Sequence, residues 1–167
     1  MDDEEFEKWQ RINASGFGNL ASLIGNNAGE IITKAHTMSD SEVRSWKRSF
    51  EDCLESHQKV YDRISNATIE DLDQRFPIET FRQARETLPI VKTKLLEAIS
   101  HLRKYSQAQR KTKARREQII IAGTELFNLA TKMVGLTEQF NAHNGHRYFE
   151  FRREADRRYR LQFQKPR

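Results

Sequence analysis

A regular repeat of mostly apolar side chains between positions 43 and 64 constrains the fold of this chain most strongly. Seven residues recur there at alternating spacings of three and four: Val43, Trp46, Phe50, Cys53, His57, Val60 and Ile64. That heptad spacing places all seven on one side of an α-helix of about six turns. Ser39 and Glu42 precede the repeat at the spacing of a capping box, in which each side chain satisfies the other's free backbone N–H. The sequence therefore predicts a long helix that begins near position 40.

Two further stretches show the same spacing, over residues 78–105 and 119–140. Pro89 interrupts the first of them, and we expect it to kink or restart the helix near Leu88, because proline removes an N–H donor and crowds the preceding turn. The chain of 167 residues has only seven Gly and three Pro, too few for the frequent turns of a β architecture. The sequence predicts an all-α bundle of about five helices, several of them long and heptad-patterned.

The chain length suits a single domain. We divide it into a helical bundle over 1–146 and an Arg- and aromatic-rich C-terminal helix or arm over 147–167, because Asn144-Gly145 is a turn signal between them. The sequence leaves three shapes open for 158–167: a continuation of the helix, a strand or a disordered arm.

Residues 14–31 combine an apolar stripe with a neighbouring stripe of small residues. The small residues are Ala14, Gly18, Ala21, Gly25 and Ala28. Small residues at this spacing let two helix backbones approach closely, although each glycine costs about 1 kcal/mol of helix propensity. We favour a tightly packed internal helix, and the alternative is an amphipathic segment that binds a membrane or a partner.

Charge is divided unevenly along the chain, whose formal net charge is +5. Residues 1–90 carry 11 Lys and Arg against 17 Asp and Glu, a balance of −6, whereas residues 91–167 carry 18 against 7, a balance of +11. Such a split predicts either a polyanionic partner for the second half or contact between the two halves.

The densest basic stretch is 103–116, which contains no acid. Its seven cations are Arg103, Lys104, Arg110, Lys111, Lys113, Arg115 and Arg116. The next positions of the preceding apolar repeat fall on Gln109, Thr112 and Arg116, so the stretch has no face to bury. Two shapes remain open: a projecting basic helical segment, or a connector between antiparallel helices. Because solvated Lys and Arg attract phosphate, these residues are candidate ligands for nucleic acid or another polyanion, and the alternative is a solvated connector.

A second basic region, 147–163, interleaves arginine with aromatic residues. Its candidate polyanion ligands are Arg152, Arg153, Arg157 and Arg158. Arginine grips phosphate as a fork, and exposed rings offer stacking platforms for bases. Glu150, Glu154 and Asp156, however, each precede an arginine by three or four residues, which is also typical of an ion-paired helix that docks its aromatics on the bundle. Both interpretations stay open.

The sequence carries no recognisable catalytic motif. The segment GFGNLA resembles a dinucleotide-binding fingerprint but lacks the preceding strand, and neither a phosphate-binding loop nor a nucleophile elbow is present. Cys53 and His57 have no second pair with which to bind a metal, so we expect a buried thiol and a hydrogen-bonded histidine. We therefore expect no enzymatic activity, no catalytic residues, no metal and no cofactor.

The N-terminal sequence MDDEEFEKW lacks the basic start and apolar run of a secretory signal. The most apolar window, 119–136, contains Glu125, Asn128 and Lys132, which argues against a membrane span. We expect a cytoplasmic protein. The leading hypothesis is a non-catalytic intracellular interaction protein whose basic second half binds nucleic acid or another polyanion. The alternative is a structural or adaptor protein that self-associates through its helical stripes, at least as a dimer, or docks on a protein partner.

Overall fold

The structure is a computed structural model that describes residues 1–12, 15–66 and 78–164. These ranges contain five α-helices and one short 3-10 helix, with no strand among them. The α-helices are α1 (Asp3–Ile12), α2 (Ser15–Lys34), α3 (Asp40–Asn66), α4 (Ile78–Gln107) and α5 (Lys113–Phe163), and the 3-10 helix covers Ala35–Thr37. The predicted all-α bundle of about five helices is confirmed. The sequence also predicts a short helix over 68–76, ended by Pro77, and this stretch lies outside the described residues.

Four of the helices surround one apolar core. Each of α2, α3 and α4 packs against the next helix along the chain, and α5 also packs against α2, which closes the ring. Short connections join α2 to α3 and α4 to α5, so these neighbours run antiparallel. Contacts between Arg85 and the Ile64 carbonyl, and between His57 and the Leu88 carbonyl, show that α3 and α4 also run antiparallel. The fold is a closed antiparallel bundle with α1 packed against α3 and α5.

The predicted repeat of α3 is confirmed residue by residue, because its seven buried side chains are the seven predicted ones. At the start of the helix the Glu42 backbone N–H donates to Ser39 Oγ at 3.2 Å. The return bond differs from the predicted capping box, since Glu42 Oε1 accepts from the Ser39 hydroxyl at 3.3 Å instead of from its backbone N–H. The cap is therefore half of a capping box.

The two residues of α3 that were candidates for a metal pair are part of the core. His57 Nε2 lies 2.6 Å from the Leu88 carbonyl oxygen, and Cys53 is buried as a free thiol. Burial raises the pKa of the Cys53 thiol to about 11, and burial also lowers the pKa of His57. A buried thiol and a hydrogen-bonded histidine are thus confirmed. No group of three or more His, Cys, Asp or Glu in the described ranges is placed to hold a metal.

The predicted restart at Pro89 is wrong, because α4 is one helix from Ile78 to Gln107 with Pro89 inside it; the alternative, a kink, stays a prediction. Pro89 itself is exposed, whereas Leu88 and Val91 on either side are fully buried. The proline ring therefore faces solvent, and core packing holds both flanking turns in place. Burial of large apolar side chains on both sides outweighs the single hydrogen-bond donor that proline lacks.

The small residues of α2 let it approach α5 closely. A Cβ atom added at Gly25 would lie 3.4 Å from Ala130 Cβ, and one added at Gly123 of α5 would lie 2.9 Å from Ile31 Cγ2. The helices are therefore close enough that an added Cβ would just touch Ala130 at Gly25, whereas at Gly123 it would force Ile31 to shift. The interpretation of this stretch as a tightly packed internal helix is confirmed for its described part, which excludes Ala14.

Helix α5 changes direction at Gly145, whose φ of 41° and ψ of −114° lie outside the helical region. The turn signal at Asn144-Gly145 therefore marks a kink, and a left-handed φ at this position favours glycine. The helix then resumes and ends at Phe163, so the described part of the tail is helical. Residues 146–163 are called the distal segment below.

One described helix segment, Lys113–Ala142, is long and apolar enough to cross a membrane by length and composition alone. Of its most apolar window, 39% is buried inside the bundle. Core helices of bundles reach the same length and apolarity, and Glu125 and Lys132 lie within this segment. The expectation that it does not span a membrane stays a prediction.

Candidate nucleic-acid interface

The basic stretch 103–116 is a turn between two helices. Helix α4 ends at Gln107 and α5 begins at Lys113, with non-helical residues between them. The projecting basic helical segment considered for 103–116 is therefore wrong, and the connector is correct. The physical reason is local: Thr112 Oγ1 accepts from the Arg115 backbone N–H at 3.3 Å and caps α5.

Three cations of this connector are used in closing the turn. Lys111 Nζ lies 2.7 Å from Asp40 Oδ1 and 5.1 Å from the centroid of the Tyr105 ring, which ties the connector to the start of α3. The hydrogen bond from Lys111 lowers the pKa of Asp40. Arg115 donates to the Arg110 carbonyl at 2.8 Å. The third cation, Arg116, donates to the Lys111 carbonyl at 3.4 Å.

The other cations of the connector face solvent. Arg103, Lys104 and Arg110 are exposed, and none of them forms an ion pair with a carboxylate in the described part of the chain. Lys113 is 90% exposed and stands 3.8 Å from Glu117. These four exposed cations are together called the connector surface below.

The distal segment docks on α1 through one of its faces. Phe151 is buried, and its ring centroid lies 5.4 Å from that of Phe6. Arg158 Nη2 lies 2.8 Å from Asp3 Oδ1, and the Arg158 guanidinium carbon lies 3.9 Å from the centroid of the Phe6 ring. Because these contacts join residues about 150 positions apart, they fix the distal segment against the start of the chain.

Two predicted polyanion ligands are engaged with carboxylates in this docked face. Arg157 Nη2 and Nε lie 2.6 and 2.8 Å from the two oxygens of Glu154, and Arg158 Nε lies 2.8 Å from Glu154 Oε1. Hydrogen bonds from the two guanidinium groups hold the pKa of Glu154 at about 2. Arg158 thus links the distal segment to α1, whereas Arg157 pairs with Glu154 within its own helix, as in the ion-paired helix that the sequence left open.

The opposite face of the distal segment combines rings and cations. Positions three, four and seven apart share a helix face, and those on this face are Phe149, Arg152, Arg153, Asp156, Tyr159, Arg160 and Phe163. We call this set the aromatic–arginine face. The three rings are 61%, 64% and 68% exposed, and the Tyr159 and Phe163 centroids lie 4.9 Å apart in an edge-to-face arrangement. The predicted docking of aromatics on the bundle therefore holds for Phe151 and is wrong for Tyr159 and Phe163.

The arginines of this face differ from those of the docked face. Arg152, Arg153 and Arg160 are exposed, and among the described residues no carboxylate forms an ion pair with them. Arg160 is not among the candidate ligands predicted from the sequence, because its spacing of four from Asp156 indicated an ion pair. The signal that reveals it is its spacing of seven from Arg153, because residues seven apart lie on the same side of a helix.

The two basic regions lie far apart. Helix α5 spans about 48 Å between Lys113 and Gly145 at 1.5 Å per residue, and Arg152 follows the kink by two turns. If the distal segment folded straight back along the bundle, two turns of helix would shorten this distance. Arg152 and the connector would still be on the order of 30 Å apart. The candidate residues thus form two separate surfaces at the two ends of α5.

The acidic and basic halves of the chain contact each other near both surfaces. Lys111 pairs with Asp40, and Arg158 pairs with Asp3. Each of these two ion pairs joins a residue of the acidic half to a residue of the basic half. Many of the other ion pairs join residues three or four apart on one helix. Contact between the halves is therefore present, and it uses only part of the excess positive charge.

An apolar groove lies elsewhere, between α2 and α5. It is a shallow depression of about 300 Å³ lined by Ala21, Ser22, Gly25, Asn26, Phe127, Ala130, Thr131 and Val134. Phe127 is 43% exposed and Val134 is 39% exposed. Its lining carries no charged side chain, so the groove suits an apolar contact and not a phosphate.

No protein-family model matches this chain, and neither a curated protein nor a solved structure matches it. Function is therefore inferred from the chain's own residues.

Proposed function

We propose that this protein is a non-catalytic nucleic-acid-binding protein that contacts its ligand through the aromatic–arginine face and the connector surface. The observation that carries the proposal is the aromatic–arginine face itself. It exposes three large rings together with three arginines that have no carboxylate partner among the described residues. Water-exposed rings of this size are costly to leave uncovered. A ligand that offers both phosphate and flat aromatic surface satisfies both kinds of side chain.

The rings favour nucleic acid over other polyanions. A polyanion that lacks bases, such as a sulfated polysaccharide or polyphosphate, pairs with Arg152, Arg153 and Arg160 but leaves Phe149, Tyr159 and Phe163 in water. Nucleic acids carry π faces beside each phosphate, and arginine binds phosphate as a fork while also stacking on bases. Nucleic acid therefore uses the whole face.

The connector surface adds sequence-independent phosphate contacts. It consists of flexible Lys and Arg side chains without exposed aromatic residues, which read charge and not base identity. A ligand must be on the order of 30 Å long to reach both surfaces, which is about nine nucleotides at 3.4 Å each. Oligonucleotide length thus separates the contributions of the two surfaces.

The test is fluorescence anisotropy with a labelled 30-nucleotide strand between 50 and 200 mM salt. The connector variant replaces Arg103, Lys104, Arg110 and Lys113 by Gln, which keeps helix propensity. Its salt slope should be shallower by about 0.7 for each phosphate of a single strand that the variant no longer neutralises. The matched control replaces the exposed cations Arg48, Lys59, Lys92 and Lys132 by Gln. It loses the same number of positive charges as the connector variant, and it should bind like the parent within about twofold. Absence of parent binding at 50 mM salt would overturn the proposal.

A second candidate function is that of an adaptor that self-associates or docks on a protein partner. The α2–α5 groove favours it, because Phe127 and Val134 are partly exposed beside small side chains that permit close approach. Sedimentation at micromolar concentration tests it, with Phe127→Ser as the variant expected to shift any dimer to monomer. A parent that is monomeric in low and high salt alike would count against this candidate and against the predicted dimer.

A further inference from the structure

We infer that the aromatic–arginine face takes single-stranded nucleic acid, with unpaired bases stacked on Phe149, Tyr159 and Phe163. The inference rests on the proposed nucleic-acid-binding function and goes further by naming the form of the ligand. It follows from the exposure of the rings, their order along the helix and the place of the arginines between them.

The exposure of the rings favours unpaired bases. In a duplex each base is covered above and below by its neighbours, so a ring on a convex helix surface meets only phosphate and sugar. In a single strand the bases can splay outwards and stack on aromatic side chains, and such stacking tolerates any sequence because every base has a π face. Rings that are 61–68% exposed are accessible to such bases without rearrangement of the bundle.

The order of side chains matches the chemistry of a strand. Phe149 comes first along the helix, Arg152 and Arg153 follow, Tyr159 and Arg160 stand side by side, and Phe163 ends the face. Rings and guanidinium groups thus alternate, as bases and phosphates do along a single strand. The face is about 21 Å long at 1.5 Å per residue, which corresponds to at most about six stacked nucleotides at 3.4 Å each.

One residue of the face opposes the ligand. Asp156 is exposed midway between the two groups of arginines, and its carboxylate repels phosphate. Replacing it with Asn removes this repulsion while keeping a side chain of the same shape. If phosphates pass over this face, Asp156→Asn binds a short single strand severalfold more tightly than the parent does.

The main experiment uses the full chain with a labelled eight-nucleotide single strand and the same sequence paired as the stem of a hairpin, both at 50 mM salt, because a closing loop keeps so short a duplex paired. At the stacked spacing of about 3.4 Å per nucleotide such a single strand is about 27 Å long, and we expect it to bind first at the aromatic–arginine face, which offers stacking as well as charge. The ring variant carries Phe149→Leu, Tyr159→Leu and Phe163→Leu, which remove the π faces, keep the charges and raise helix propensity. The parent should bind the single strand more tightly than the duplex. The ring variant should bind the single strand at least about fivefold more weakly for each stacking ring removed.

Two controls make the effect specific to stacking. The ring variant should keep the parent's salt slope because no charge has changed, whereas a variant with Arg152, Arg153 and Arg160 replaced by Gln should have a slope shallower by about 0.7 for each phosphate it no longer neutralises. Phe127→Leu, at an exposed ring outside the face, should bind like the parent. Circular dichroism and thermal melting check that each variant is folded. Ultraviolet crosslinking of the bound strand should place it on the peptide that contains Tyr159.

The outcomes separate this inference from the proposed function. Equal or tighter binding of the duplex, or a ring variant that binds like the parent, overturns the single-strand inference and leaves nucleic-acid binding in place. If the parent binds neither form at 50 mM salt, the proposed function falls as well. If the ring variant loses self-association or binding to anionic phospholipid vesicles instead, the face belongs to a protein or membrane contact and the inference is overturned.

Discussion

The connector and the distal segment are both rich in Lys and Arg, yet the protein uses their charges differently. In the connector, Lys111 reaches Asp40 and two arginines bond to backbone carbonyls, so nearly half of the cations close a turn. In the distal segment, Glu154 and Asp3 engage the cations of one face, while the other face holds its arginines among exposed rings. Charge density alone does not distinguish a cation that closes a turn or an ion pair from one that faces solvent; the neighbours of each cation do.

The comparison also separates the two modes of binding that we propose. The connector surface offers charge without rings, which suits loose contact with any phosphate backbone and a strong dependence on salt. The aromatic–arginine face adds stacking, which salt weakens less because it does not depend on counterion release. We therefore expect the two surfaces to differ most clearly when salt concentration and oligonucleotide length are varied together.

The largest expected effect is the loss of folding when the core of the bundle, which holds the two regions apart, is disrupted. Trp46 is 2% exposed in the core of α3, and truncating a buried aromatic costs about 3–5 kcal/mol. Trp46→Ala should therefore leave little folded protein at 37 °C by circular dichroism. The exposed Phe127→Ala serves as the control and should melt close to the parent. A Trp46→Ala protein as stable as the parent would contradict the assigned core.

A smaller effect should follow when the docked face of the distal segment is broken. Phe151 is 4% exposed against Phe6, so Phe151→Ala removes the apolar contact that holds this segment to α1. Hydrogen exchange should accelerate over 149–163 by tenfold or more, which corresponds to about 1.4 kcal/mol, while α3 and α4 stay protected. Exchange that is unchanged over 149–163 would show that the segment is held by other contacts.

Acid should loosen the docked face, because Glu154 holds Arg158, which contacts Asp3 of α1. Hydrogen bonds from Arg157 and Arg158 hold the pKa of Glu154 at about 2. The folded-state pKa is below the usual 4.5, so the stabilisation is complete above about pH 4.5 and is lost as pH falls towards 2. Hydrogen exchange over 149–163 should therefore accelerate between pH 4.5 and 2, after correction for the intrinsic exchange rate. Glu154→Gln should already exchange faster at neutral pH and should lose that part of the pH dependence. Identical pH profiles for the parent and Glu154→Gln would contradict this docking role.

The smallest effect separates two neighbouring lysines of the connector. Lys111→Gln should lower the melting temperature slightly, because it removes the contact with Asp40 and the Tyr105 ring, and exposed ion pairs contribute little. Lys113→Gln should leave the melting temperature unchanged, since Lys113 is 90% exposed. Equal melting temperatures for the two variants would remove the distinction between structural and solvated cations in this connector.

The fold was predictable where periodic patterns carry the information. The repeat on α3 has no break, and its seven predicted core residues are buried without exception. At Pro89 a local rule predicted a kink or a restart, and the restart does not occur, because the burial of Leu88 and Val91, which the repeat over 78–105 indicated, outweighs the missing hydrogen-bond donor. The return bond of Glu42 is decided by side-chain rotamers, which local sequence does not reveal.

The candidate site was predictable only in part. The spacing of Glu154 from Arg157 and Arg158 indicated ion pairs, but the Arg158 contact with Asp3 joins residues 155 positions apart and has no local signal. Helix periodicity could have placed Arg160 beside Arg153. It could not have shown which face of the distal segment docks on α1, because both faces contain aromatic residues and arginine.

The most direct test of the central claim is the salt dependence of binding to an eight-nucleotide single strand by three proteins. These are the parent, the connector variant, and the variant with Arg152, Arg153 and Arg160 replaced by Gln. We expect the connector variant to change affinity by less than the distal variant, and only the distal variant to have a slope shallower by about 0.7 per phosphate no longer neutralised. A weaker affinity and shallower slope in the connector variant, with a distal variant that binds like the parent, would contradict the account.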